Sequence, residues 1–159
     1  MSYVGQKKGN YAEMEEEHEE EISLMALEES KEGKKNEWFL ESGCRNHMSG
    51  NKRWFSELYE NFIGKVKLGN DTHIIVIGKG SIQMKVNGLT HIVKHVYYVL
   101  ELKNNILSIG QLQEKGLSIK IQNHTCTITH PEKGVICKVQ MNARRMFMLT
   151  AAMGTDICL

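Results

Sequence analysis

No run of about 18 apolar residues occurs anywhere in this 159-residue chain, so the sequence offers no membrane-spanning helix. The opening residues, Met1-Ser2-Tyr3-Val4-Gly5-Gln6-Lys7-Lys8, lack the apolar centre of a signal peptide. Cysteine is sparse and irregular. Cys44, Cys126, Cys137 and Cys158 do not form the spacings of a disulfide framework, and a reducing, cytoplasmic setting is the expectation. There is no internal repeat of fixed period, no Cys/His knuckle before residue 36, no aromatic RNA-binding motif and no basic helix. An apolar content of 41% is slightly low for a fully packed chain, which implies that part of it lies outside any core. What remains is one domain with an appendage.

The net charge of +1 conceals an uneven distribution. Residues 1–37 carry 11 acids and 5 bases, whereas residues 38–159 carry 8 acids and 15 bases. An acidic arm is therefore joined to a basic domain. The arm holds Glu13-Met14-Glu15-Glu16-Glu17-His18-Glu19-Glu20-Glu21, then an apolar cluster at Ile22, Leu24, Met25 and Leu27. Its like charges repel, so a helix there is marginal without a partner. The expected division is a mostly disordered acidic spacer at 1–35, a folded domain at 36–150 and a tail at 151–159.

Within the domain the pattern is β. Glu37 to Leu40 reads as a strand leading into a Ser42-Gly43 turn. Asn51 is placed to cap a short helix, with Trp54, Phe55, Leu58 and Phe62 on one face. Lys65–Leu68 and His73–Ile77 are short strands around a Gly69-Asn70-Asp71 turn. From Gly80 the alternation sets Ile82, Met84 and Val86 against Ser81, Gln83 and Lys85. Asn87-Gly88 then signals a two-residue hairpin. The returning strand is expected to carry His91, Val93, His95, Tyr97 and Val99 on a single face. Further strands are expected at 106–109, 117–121, 125–129, 135–139 and 146–149, with turns at Gly116, Asn123-His124 and Pro131-Glu132-Lys133-Gly134. Many short strands and hardly any helix predict an all-β barrel or sandwich.

Trp38-Phe39-Leu40-Glu41-Ser42-Gly43-Cys44-Arg45-Asn46-His47-Met48 resembles the active-site turn of the retropepsin-like protease in copia-type retrotransposon polyproteins. Similarity continues through Val66-Lys67-Leu68-Gly69-Asn70, Gly78-Lys79-Gly80, Val96-Tyr97-Tyr98-Val99 and, most specifically, Leu102–Leu112, and covers roughly residues 36–150. The resemblance implies a small retropepsin-like β-barrel with one short helix. It also implies an aspartic endopeptidase that cuts its own polyprotein as a homodimer, each chain giving one carboxylate to a dyad that shares a proton. The family's Asp-Ser-Gly reads Glu41-Ser42-Gly43 here, so Glu41 stands at the catalytic position and Ser42 and Gly43 shape the loop. Gly78 and Gly80 are expected in a flap-like, substrate-covering segment, and Gly110 as support beneath the loop.

One extra methylene on each arm of a symmetric dyad displaces the carboxylates by about 1.5 Å, and a misplacement near 1 Å can cost about 10²-fold in rate. Activity is therefore expected to be impaired. The alternative is a non-catalytic barrel that at most self-associates. No cofactor is expected, and no metal. Cys44 and His47 have a zinc-type spacing with His124, Cys126 and His130 in reserve, but no second tight pair follows. No residue is selected to activate Cys44 as a nucleophile. The positive charges are scattered singly, which points away from nucleic acid as a partner and leaves weak, salt-sensitive association as the most that they support.

Overall fold

A computed structural model describes residues 36–67 and 71–154. The acidic arm, the Gly69-Asn70 part of the expected turn and Cys158 lie outside the described residues. The strands are β1 (Glu37–Glu41), β2 (His47–Ser49), β3 (Phe55–Tyr59), β4 (Gly64–Lys67), β5 (His73–Val76), β6 (Gly78–Val86), β7 (Leu89–Tyr98) and β8 (Asn105–Ser108). After the helix α1 (Ile109–Glu114) come β9 (Ser118–Gln122), β10 (Thr125–His130), β11 (Gly134–Gln140), β12 (Phe147–Thr150) and β13 (Ala152–Met153). The all-β expectation with one short helix holds.

The principal sheet runs β12-β1-β8-β2-β7-β6-β13, and β3 also pairs with β6. Only Ala151 separates β12 from β13, so both ends of this path fall on one stretch of chain. The sheet therefore closes on itself as a barrel, which removes two open edges. Ala151 N–H donates to the Asn36 carbonyl at 2.9 Å and is itself 2% exposed. β13 takes part in this closure, with Ala152 opposite Lys85 and Met153 opposite Met84. β9-β10-β11 form a separate three-stranded sheet and β4-β5 a two-stranded one.

Alternation is clean along β6, where Gly78, Gly80, Ile82, Met84 and Val86 are buried. Asn87 and Gly88 take φ of 50° and 84°, the left-handed pair that a tight hairpin requires, and Val86 faces Leu89. The return strand departs from expectation. Ile82 pairs with Val93 but Gly80 pairs with Val96, so β7 carries one extra residue there, with His95 at φ 62°. This bulge switches the strand's faces. Val96 and Tyr98 become the buried residues, and His95 and Tyr97 no longer share a face with His91 and Val93.

The expected helix after Asn51 is a correction. Asn51 Oδ1 does accept from Arg53 N–H at 3.0 Å, but it caps a single 3₁₀ turn at Lys52–Trp54. The chain then extends as β3 against β6. Gly80 decides this, since a Cβ at that position would collide with the Glu57 carbonyl and only glycine admits β3 so closely. Pairing with a strand overrides the helical spacing of four apolar residues.

Two apolar clusters result. One holds Trp38, Trp54, Ile82 and Leu107 with Ile128 and Cys137 of the three-stranded sheet, and the other holds Cys44, Met48, Val76, Val99 and Ile106. Trp38 and Trp54 meet edge to face at 5.3 Å.

Candidate functional site

Glu41 is the last residue of β1, a strand that lies between β12 and β8. Leu40 pairs with Phe147 of β12, and Glu41 pairs in parallel register with Ser108 of β8. The turn 42–46 leaves β1 and returns as β2, which lies antiparallel to the other side of β8, with Met48 opposite Ile106. β8 thus runs between the two limbs of the turn, and the turn arches over its C-terminal end. Glu41 is half-buried, and desolvation raises its carboxyl above the usual carboxylate range. Ser42 and Gly43 are exposed at the crest.

Polar side chains fasten this arrangement at both ends. Ser108 N–H donates to His47 Nδ1 at 2.9 Å, and His47 N–H donates to Gln111 Oε1 at 2.6 Å. Ser108 Oγ caps α1 by accepting from Gln111 N–H at 3.1 Å. Further back, Ser49 Oγ donates to Asn105 Oδ1 at 2.7 Å, and Asn105 Nδ2 donates to the Glu37 carbonyl at 3.1 Å. His47 is 2% exposed, and burial, helped by His95, lowers its pKa to about 3. It is a neutral structural acceptor rather than the polar loop residue that its place after the turn suggests.

Beside the turn lies a cleft of about 560 Å³, lined by Arg45 and Asn46 of the turn, Lys65 of β4, Lys79 of β6, His95 of β7 and Gln111 and Glu114 of α1. Gly110 also borders it and is exposed; a Cβ there would meet only Ser108 Oγ at 3.7 Å, so the position does not demand glycine. Gly78 and Gly80, expected in a flap-like segment, lie within β6. Both are buried inside β6, where Leu58 and the Glu57 carbonyl of β3 crowd them. Their lack of a side chain permits close strand approach.

Cys44 is 2% exposed and packs within the second cluster. Cys126 and Cys137 are buried in the three-stranded sheet, where desolvation raises both thiols, that of Cys137 to about 11. Among the described residues no three His, Cys, Asp or Glu side chains converge as metal ligands. No helix among them is long and apolar enough to cross a membrane.

Residues 38–117, which begin in β1 and end just after α1, match the family model described as "Pol polyprotein, beta-barrel domain". The chain belongs to this family. It is also 28% identical over 98 residues to the retrovirus-related Pol polyprotein from transposon TNT 1-94 of Nicotiana tabacum. That alignment takes in 61% of this chain and 7% of the tobacco polyprotein, so the chain spans a small part of its relative's length. No solved structure matches. The β-barrel of a retrotransposon Pol polyprotein is thus the shared element, and the matched stretch contains the Glu41 turn, β8 and the cap of α1. The sequence placed His47 as a polar loop residue with a ligand-type spacing to Cys44, and did not single out Ser108 or Gln111. The Ser-x-x-Gln spacing of 108–111, a capping-box pattern, was the signal that could have placed the helix start.

Proposed function

We propose that this Pol polyprotein β-barrel domain is an aspartic endopeptidase of the copia type, working as a homodimer on its polyprotein, with Glu41 in place of the catalytic Asp and its activity impaired. The supporting observation is the seating of Glu41 itself. A half-buried carboxyl ends a core strand, is held in register against Ser108, follows a residue paired on the other side, and has a raised pKa from desolvation. A shared-proton dyad needs such a group, since one of its two carboxyls must stay protonated. Ser42 and Gly43 are exposed at the crest, where a second copy can approach. The covering element that fits best is the separate β4-β5 hairpin, whose Lys65 lines the cleft together with the turn.

The extra methylene favours a second reading, a barrel that self-associates without cutting. Cleavage of a fluorogenic peptide library by the natural protein, Glu41→Asp and Glu41→Ala separates the two. Cutting by Glu41→Asp alone supports an impaired peptidase. Silence from Glu41→Asp, in a chain shown to be folded and dimeric, supports the second reading.

A further inference from the structure

A second cavity, of about 490 Å³, opens where the three-stranded sheet meets the barrel, and His47 and Gln111 are among its lining. Met84, Leu107, Leu112, Ile128 and Leu149 are among the apolar side chains that line it, and Lys94, Lys115 and Lys133 stand around it with His91 and His130. No Asp or Glu belongs to its lining. Three exposed lysines around an apolar floor whose lining holds no carboxylate are what an apolar segment flanked by acids would satisfy. His91 adds a buried Nε2 without a hydrogen-bond partner. Lys133 and His130, after desolvation, depress its protonation, which marks this mouth as short of negative charge.

The chain carries a segment of matching chemistry. Glu19-Glu20-Glu21-Ile22-Ser23-Leu24-Met25-Ala26-Leu27-Glu28-Glu29 places four large apolar residues between five glutamates. The point of attachment is close to the cavity. Leu149, on its floor, pairs with Trp38, and Ala151 N–H bonds the Asn36 carbonyl where the described chain begins. Nine peptide steps from Leu27 to Asn36 reach at most about 30 Å, the width of a small domain. A tethered ligand also acts at high effective concentration, which lets weak contacts suffice.

We propose that this cavity is the docking site of the chain's own segment Glu19–Glu29, its apolar residues entering the floor and its glutamates meeting Lys94, Lys115 and Lys133. Glu41 and residues 42–46 do not line this surface, so the proposal does not require the peptidase reading, although His47 and Gln111 border the cavity and also anchor the turn.

Carbodiimide coupling of the full-length protein tests the proposal, since it forms an amide only where a carboxylate touches an amine. Mixing ¹⁴N- and ¹⁵N-labelled chains distinguishes links within a chain from links between chains. The expected result is amides from Glu19–Glu29 to Lys94, Lys115 or Lys133 within one molecule. These should fall at least tenfold in a Leu24→Ser, Met25→Ser, Leu27→Ser variant that keeps every charge and lies outside the barrel. Absence of links, links to Lys52, Lys65 and Lys79 as often, mixed-isotope links, or links that survive the serine variant would each overturn it.

Discussion

His47 Nδ1 accepts the backbone N–H of Ser108 at 2.9 Å, and Ser108 is the register partner of Glu41. One buried imidazole therefore ties the returning limb of the turn to the strand on which Glu41 rests. The same serine caps α1, so the turn, β8 and the helix share one anchoring residue.

The anchor makes the fold acid-sensitive. His47 titrates near 6.5 when unfolded and near 3 when folded, so between those values the unfolded chain holds the extra proton. Its contribution is complete above about pH 6.5 and is lost as the pH falls toward 3. At pH 5 the expected loss is about 2 kcal/mol relative to pH 8. Glu41 has the opposite sign: with a raised folded pKa it takes up its proton earlier when folded and offsets part of the loss at the acidic end. Urea denaturation at pH 8, 6.5 and 5 measures the slope.

Replacing the imidazole tests the origin of that slope. His47→Leu leaves the Ser108 N–H buried without an acceptor and should cost about 2–3 kcal/mol at pH 8. It should also flatten the decline between pH 6.5 and 5, which loss of packing alone would not do. The same urea series on the variant reads both effects.

The glycines separate crowding from flexibility. Gly80→Ala should destabilise by several kcal/mol or abolish folding, because its Cβ collides with the Glu57 carbonyl. Gly110→Ala, in the first turn of α1 with room for a Cβ, should be neutral or stabilising by up to about 1 kcal/mol. Thermal midpoints of the two variants should move in opposite directions or differ sharply. Equal destabilisation would contradict the packing described.

The cysteines should be slow to react. With the Cys137 thiol near 11 and Cys126 raised by burial, native labelling by a disulfide reagent at pH 8 should be at least tenfold slower at both than in denaturant. Mass spectrometry of quenched samples gives the site-specific rates.

The sequence carried most of the strand plan, because half-buried strands alternate with period two and Asn87-Gly88 announces its own turn. It failed where tertiary contacts rule. Trp54, Phe55, Leu58 and Phe62 have helical spacing, yet Gly78 and Gly80, about two dozen residues away, draw that segment into the sheet. The bulge at His95 adds one residue opposite Ser81, and no local signal marks which residue will be unpaired. Barrel closure at Ala151 depends on a partner strand more than 60 residues earlier. At the site, the Glu41 turn was legible from its motif, whereas the buried role of His47 was not. A histidine after a turn looks solvated until the fold places a backbone N–H against it.

The most direct test of the central claim is the rate of peptide cleavage at pH 6, where His47 still supports the fold, by Glu41→Asp relative to the natural protein. Removing one methylene from a correctly seated carboxyl should raise the rate by at least about 10²-fold, and Glu41→Ala should be silent. An unchanged rate in folded, dimeric Glu41→Asp, or cleavage that survives Glu41→Ala, would contradict the assignment of Glu41 to the catalytic position.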